Sequence, residues 1–366
     1  MTLELKSIGL EVDGKTHIYP TDLQLIEGGF NTLLGTTLAG KTTLMQIMAG
    51  LLKPSTGEIW FDGKNVTNVP VQKRNVSMVY QQFINYPNMS VYENIASPLR
   101  VARLTSSEIK KRVEAIADLL KLSPMLQRRP SELSGGQQQR TAMARALVKD
   151  AVLVLLDEPL ANLDFKLREE LRDELPRLFA DRRCTLVYAT TEPSEALLLG
   201  GHTVALNEGR VAQFGPSGEI YRNPSHLLTA KVFSEPPLNT VPVKKEGARF
   251  RIDNDAIWDA IGTQSGVADG DYLAGIRPHH VLPAKHSTTS VDRGVVIEGR
   301  VLITEISGSE SVVHFDYGGF TWISQAHGIH AYELGEVASF CFDPRHAFLF
   351  DVNGTRVAAP PQRSAH

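Results

Sequence analysis

Gly35-Thr36-Thr37-Leu38-Ala39-Gly40-Lys41-Thr42 carries the spacing G-x-x-x-x-G-K-[ST] of a loop that wraps phosphate. Small residues let successive backbone N–H groups curl round an anion. A helix beginning after the loop turns its positive end toward the same charge. Lys41 is placed to reach β- and γ-phosphate oxygens, the Thr42 hydroxyl to ligate Mg²⁺, and Thr43 to continue into the helix. A second constellation is the apolar run Val152–Leu156, which ends in Asp157-Glu158-Pro159. An acid at the end of a buried strand can hold Mg²⁺ through water, and the next can orient or deprotonate an attacking water. Asp157 is therefore read as the magnesium acid and Glu158 as the general base. The third constellation is Leu133-Ser134-Gly135-Gly136-Gln137, ahead of a helix expected to start near Gln138. A serine and two glycines at a helix start make another anion site. One nucleotide seldom needs two such sites, so one of them is expected to face a nucleotide held by another chain.

The elements that must position these residues alternate between strand and helix over the first ~235 residues. Asn31–Leu34 reads as a strand entering the loop, Lys41–Ala49 as a helix, and Glu58–Phe61 with Asp62-Gly63 as a hairpin end. Thr105–Leu120 reads as an amphipathic helix with Ile109, Val113, Ile116 and Leu120 on one face. Thr105 and Glu108 form its capping box. Val152–Leu156 and Thr185–Ala189 suit central parallel strands buried on both faces. Glu235-Pro236-Pro237 marks a linker. Beyond it, Arg249–Ile252, Tyr272–Ile276, Val295–Ile303, Ser311–Phe315 and Ala338–Phe342 read as strands of an all-β barrel or sandwich. The segment after Gly354 is expected to fray. Trp258, Trp322 and Tyr332 are read as core aromatics.

The 366 residues suit two domains, and 42% hydrophobic with 22% charged residues is ordinary for a globular chain. A net charge of −3 gives no basic face for nucleic acid. Cys184 and Cys341 form neither a metal cluster nor a disulfide framework, which suits a reducing compartment. Met1 to Leu10 reads as a strand rather than a signal peptide. No run of about 18 apolar residues is present, so work at a membrane would need a partner.

With these residues in place, the chain resembles the ATP-binding cassette (ABC) proteins, and within them the ATPase subunits of carbohydrate and polyol importers. The order matches: phosphate loop at 35–43, Gln81 as the Q-loop glutamine, Leu133–Gln137 as signature, Asp157-Glu158 as Walker B, and Leu163-Asp164 as D-loop. Tyr86-Pro87 and Val91-Tyr92-Glu93-Asn94-Ile95 resemble the stretch beside the Q-loop. Gly275-Ile276-Arg277-Pro278, Glu298-Gly299 to Gly308, and His346 to Asp351 resemble the β-rich tail of that group. The resemblance spans about residues 1 to 352.

It implies an α/β fold: a P-loop NTPase cassette with a RecA-like core, an antiparallel β subdomain and a helical subdomain at about 88–150. A nucleotide-binding domain at 1–235 would precede an OB-fold-like regulatory or dimerisation domain at 240–355. It implies ATP and Mg²⁺ as ligands, with Thr42, Gln81 and Asp157 around the metal. It also implies a head-to-tail cassette dimer in which Ser134, Gly135, Gly136 and Gln137 close on the neighbour's ATP. The partners implied are a second ABC ATPase chain, two transmembrane permease subunits and an extracytoplasmic solute-binding protein. The location implied is peripheral, at the cytoplasmic face of the inner membrane. The solute class would be a sugar, a polyol such as glycerol, or glycerol-3-phosphate.

Three positions depart from the family pattern. Thr190-Thr191-Glu192-Pro193-Ser194-Glu195-Ala196 stands where Thr-His-Asp-Gln-x-Glu-Ala is usual, so Thr191 occupies the switch-histidine position. His202, which starts the next strand, is read as a solvated or capping residue rather than a substitute. Val12 falls where an aromatic would stack on adenine, unless a different hairpin register brings His17 or Tyr19 there. Leu38 replaces a common glycine. The departures all lie in the chain's own pocket, while the signature it lends is intact. The expectation is a degenerate site that binds ATP and hydrolyses it slowly, paired with a non-identical, consensus cassette. The alternative is a catalytically silent cassette that only completes its partner's site.

Overall fold

The computed structural model describes residues 2–161, 163–180, 184–252, 256–284 and 294–360. The chain forms two compact units, Met1–Gly218 and Glu219–His366.

In the first unit, a six-stranded sheet has the order β10-β9-β3-β8-β7-β6. Its strands are β3 (Phe30–Leu34), β6 (Val76–Val79), β7 (Leu153–Asp157), β8 (Thr185–Thr190), β9 (His202–Asn207) and β10 (Arg210–Pro216). All neighbours are parallel except β10, which returns antiparallel beside β9. β7 and β8 are buried at every position, as expected of apolar runs covered on both faces. A second, antiparallel sheet has the order β2-β1-β4-β5, from β1 (Leu3–Val12), β2 (Lys15–Gln24), β4 (Thr56–Phe61) and β5 (Lys64–Asn65).

α1 (Lys41–Ala49) shares one apolar core with both sheets: its Leu44 and Met48 belong to the same cluster as Leu3 and Ile8 of the antiparallel sheet and Leu155 and Val187 of the six-stranded one. A second core holds α2 (Val91–Val101), α3 (Ser106–Leu119), α4 (Gly135–Leu147) and α5 (Phe165–Ala180), with Leu199 of α6 (Pro193–Leu199) at its edge. In α3 the stripe Ile109, Val113, Ile116 is buried and Thr105 makes the expected capping box with Glu108. Fully buried Asn94 of α2 donates to the carbonyls of Tyr86, Met89 and Ser90 and accepts from the Tyr86 N–H. That bonding fixes the stretch running from the end of β6 into α2.

The second unit takes in part of α7 (Ser217–Arg222) and all of α8 (Leu227–Val232), so it begins before the expected linker at Glu235. The reason is packing: Ala230 of α8 joins Leu238, Phe348 and Phe350 in one apolar cluster. One sheet has the order β13-β12-β11-β14-β20-β21. It comprises β11 (Asn239–Glu246), β12 (Arg249–Ile252), β13 (Ala256–Asp259), β14 (Gly270–Ile276), β20 (Phe348–Phe350) and β21 (Arg356–Ala358). The other has the order β15-β19-β16-β17-β18, from β15 (Val281–Pro283), β16 (Val295–Ser307), β17 (Glu310–Tyr317), β18 (Phe320–His327) and β19 (Val337–Phe342). The two enclose an all-β, barrel-like core around Trp258, Trp322, Phe315 and Phe340, the last two stacked at 3.9 Å. Trp258 and Trp322 are core residues, as expected, with Tyr332 partly buried against the same core. Of the segment after Gly354 expected to fray, residues 355–360 are held, since β21 pairs with β20 and the Thr263 hydroxyl donates to the Ala359 carbonyl, while 361–366 lie outside the described residues.

Three imidazoles meet in this unit. His280 stacks on His346 at 4.0 Å and lies 4.3 Å from His279, with Arg277 and Asp343 also nearby. Burial first, and the cationic neighbours second, push the His280 pKa down to about 3. In the unfolded chain the same ring takes a proton below about pH 6.5. Unfolding therefore gains a proton between those values, and stability that is complete above pH 6.5 is lost as the pH falls toward 3. The slope is at most about 1.4 kcal/mol per pH unit, less for the ring's partial exposure. Calorimetric melts between pH 7 and 4.5 should show this loss, and His280→Gln should flatten it.

Candidate nucleotide site

The phosphate loop leaves the end of β3 and enters α1, between strand and helix as its spacing requires. Two glycines in it are obligatory for different reasons. A Cβ on Gly35 would lie 2.4 Å from the Leu206 carbonyl oxygen, so backbone packs where a side chain would be. Gly40 has a φ of 100° at the start of α1, a conformation that disfavours L side chains. Leu38 adopts a left-handed φ of 67° with its side chain 93% exposed. A leucine held there stores strain on the order of 1 kcal/mol. Thr36 and Thr37 are exposed, Ala39 is buried, and Thr42 and Thr43 are half-buried in the first turn of α1.

Five side chains meet at the loop. Lys41, 5% exposed, donates through Nζ to the carbonyls of Gly35 at 2.9 Å and Thr36 at 3.1 Å, and lies 3.3 Å from Glu158 Oε1. The Thr42 hydroxyl donates to Asp157 Oδ2 at 2.7 Å. Gln81, two residues beyond β6, donates through Nε2 to Glu158 Oε2 at 2.9 Å. Asp157 is 1% exposed at the end of β7, and burial pushes its carboxyl pKa up against the opposing Thr42 hydrogen bond. Its Oδ1 is buried with no hydrogen-bond partner among the described residues. A buried carboxylate oxygen without a partner calls for a ligand. A carboxylate with a hydroxyl on its other oxygen is a set of hard oxygen ligands that suits a divalent cation such as Mg²⁺. Glu158 has a left-handed φ of 46°, so the proposed base is held in a sparsely populated conformation.

Other sequence-derived residues lie outside this cluster. The helix expected near Gln138 begins instead at Gly135. Ser134 caps it, accepting from the Gln137 N–H, while Gln137 accepts from the Ser134 N–H. Two capping bonds thereby start a helix on two glycines, which have poor helix propensity. Ser134 and Gly135 are exposed, Gly136 and Gln137 half-buried. Asp164 is exposed and accepts from the Leu167 N–H, capping α5. Thr191 is exposed in the turn between β8 and α6, and its side chain makes no hydrogen bond among the described residues. His202 begins β9 half-buried, its ring tilted 39° against that of Phe214 at 5.7 Å, so it packs on an aromatic neighbour rather than being solvated or capping as expected. Val12 ends β1, 42% exposed, and pairs with Lys15 across the hairpin. Tyr19 is half-buried, with the Arg210 guanidinium 3.4 Å from its ring centre.

Sequence reasoning missed two sets of contacts at this site. The Arg168 guanidinium bridges the Glu192 carboxylate at 3.2 Å and the Ala161 carbonyl, tying the 191 turn to the D-loop segment. Glu195, buried in the first turn of α6, accepts from Tyr188 and Thr190. A threonine two residues after a tyrosine on a buried strand was the available signal, since period-2 spacing puts both hydroxyls on one face.

A phosphate loop between β3 and α1, met by the two acids at the end of β7 and by a glutamine bonded to the second of them, defines a P-loop ATPase. The ABC transporter family profile matches residues 19–161. The chain is 33% identical to the sn-glycerol-3-phosphate import ATP-binding protein UgpC of Pectobacterium atrosepticum, over 95% of this chain and 97% of that one. It is 34% identical to the trehalose/maltose import ATP-binding protein MalK of Thermococcus litoralis, over 92% and 94%. Its fold is similar to the ATP-binding cassette MJ0796, solved as a post-hydrolysis dimer bound to ADP and phosphate (TM-score 0.55, 27% identity, 59% of this chain and 98% of that one). The chain belongs to the ABC transporter ATPase family.

Proposed function

We propose that this chain is the ATP-binding and ATP-hydrolysing subunit of an importer for a sugar, a polyol or glycerol-3-phosphate. It would act at the cytoplasmic face of the inner membrane with two permease subunits and an extracytoplasmic solute-binding protein. The relatives' functions, glycerol-3-phosphate and trehalose/maltose import, support this solute class. The absence of any long apolar helix among the described residues fits a peripheral subunit. The observation that carries the ATPase reading is the meeting of Lys41, Thr42, Gln81, Asp157 and Glu158 at one loop.

In this reading the loop N–H groups and Lys41 bind the ATP phosphates. Thr42 and Asp157, with Gln81, would hold Mg²⁺, which neutralises charge developing on the phosphates. Lys41 must exchange its loop carbonyls for phosphate oxygens, and Glu158, released from Lys41 and Gln81, accepts the proton of the attacking water. Ser134–Gln137 would close on ATP held by the second cassette.

Thr191 carries the finer reading. A neutral, short hydroxyl without a contact cannot stabilise charge as an imidazole does, so hydrolysis in this pocket is slow. That favours a non-identical second cassette with its own histidine. Replacing Glu158 by Gln here, and separately the matching acid in the partner, tests this in the assembled complex. The expected result is a small loss of ATPase from the first and a loss of at least about tenfold from the second. Equal losses, or full activity from the purified chain alone, contradict the unequal pair. No loss at all from Glu158→Gln identifies a silent cassette.

A further inference from the structure

Glu195 is a buried acid that takes no part in the cluster at the phosphate loop. It is 4% exposed, and its Oε2 accepts from the Tyr188 hydroxyl at 2.9 Å and the Thr190 hydroxyl at 2.6 Å. No cation lies within ion-pair distance of it among the described residues. Keeping such a carboxylate buried is costly, and two neutral hydroxyls offset only part of that cost. Packing alone would be served better by an apolar residue.

The strand end gripped by this carboxylate gives the reason. Tyr188 and Thr190 lie on β8, and the carbonyls of the next positions face the site. The Ala189 carbonyl accepts from the Glu158 N–H at 3.0 Å, and the Thr190 carbonyl accepts from the Gly35 N–H at 3.4 Å. The Thr190 hydroxyl also accepts from the Glu192 N–H at 3.0 Å, fixing the turn that carries Thr191. One buried acid thus anchors the element that holds the first residue of the phosphate loop, the base, and the switch turn. Glu158 most needs the restraint, because its left-handed backbone relaxes unless its surroundings hold it.

We propose that Glu195 is a positioning residue for ATP hydrolysis: by binding Tyr188 and Thr190 it fixes the end of β8, and through the carbonyls of 189 and 190 the register of Glu158 and Gly35. This rests on the pocket's being an ATPase site. The test uses Glu195→Ala and Glu195→Gln in the full chain, with two readouts. The first is hydrogen exchange at the Gly35 and Glu158 amides, which needs no turnover. The second is kcat against KM for Mg-ATP in the assembled complex with the partner's base acid neutralised, which isolates this pocket.

Loss of an acceptor for two hydrogen bonds should speed exchange at both amides by about tenfold or more in Glu195→Ala. It should lower kcat by about tenfold while KM moves less than about twofold, since the loop's own N–H groups still bind phosphate. Glu195→Gln keeps an oxygen that accepts from both hydroxyls, and should recover kcat to within about threefold of the parent. Exchange at Gly35 and Glu158 unchanged in folded Glu195→Ala would overturn the proposal. So would a kcat per folded molecule equal to the parent's. Should the alanine variant not fold, Thr190→Val removes one of the two donors at nearly constant volume and is read in the same way. Parent protein without ATPase activity, but with the exchange response intact, would sink the ATPase reading and leave the positioning role standing.

Discussion

Replacing Lys41 with Ala is expected to weaken Mg-ATP binding by about 10²- to 10⁴-fold, without unfolding the chain. Lys41 is 5% exposed, and its ammonium sits on two loop carbonyls and beside Glu158 Oε1. With nucleotide bound, the same ammonium serves phosphate oxygens through hydrogen bonds between charged partners. Each is worth about 1.5–3 kcal/mol, so losing two gives the stated range at about 1.4 kcal/mol per decade. The fold should survive because the lysine's polar contacts are to the loop and Glu158, while Leu44, Met45 and Met48 hold α1 in its apolar core. Isothermal titration with Mg-ATP, beside a thermal melt, measures both quantities. Binding within about threefold of the parent would show that the loop does not hold the phosphates through this residue.

Installing a histidine at 191 is expected to raise the rate of hydrolysis in this chain's own pocket by about 10²-fold. A preorganised donor aimed at developing charge is worth on the order of 10²–10³ in kcat. The position can accept the larger ring because Thr191 is exposed and its side chain makes no hydrogen bond among the described residues. Its neighbours are held independently, Thr190 by Glu195 and Glu192 by Arg168, so the turn does not depend on residue 191 for its shape. Thr191→Ala should change the rate by less than about threefold, because a hydroxyl without a partner contributes little. Single-turnover hydrolysis by the assembled complex, with the partner's base acid neutralised, isolates this pocket. A rate unchanged by histidine would place the defect elsewhere, at Leu38 or at the base-stacking position.

The parts legible in the sequence were those whose chemistry needs a fixed residue type at a fixed spacing. Lys41 and Thr42 follow the loop glycines because phosphate and metal geometry demand it, and the structure joins them to Asp157 and Glu158. β7 and β8 were legible because a strand buried on both faces must be apolar throughout. β18 was not, since three consecutive buried residues, Trp322 to Ser324, break the period of two. Ser324 is polar yet buried because its hydroxyl donates to the Val281 carbonyl, a partner far away in sequence. The role of β8 as a gauge for Gly35 and Glu158 was also invisible, because it runs through main-chain carbonyls that any residue could supply. The start of α4 at Gly135 was missed because glycine propensity argues against it, while the capping box that overrides it acts through geometry. In sequence Tyr19 is an alternative to stack on adenine, and only the fold brings Arg210 onto its ring.

Equilibrium binding of ATP to the purified full-length chain, with Mg²⁺ and then with EDTA, bears most directly on the central assignment. One saturable site per chain, tightened by Mg²⁺ and with that tightening removed by Asp157→Asn, is the expected result, since Asp157 presents its buried, unpaired Oδ1 beside Thr42. The absence of saturable binding under both conditions, or binding indifferent to Mg²⁺ and to Asp157, would contradict it.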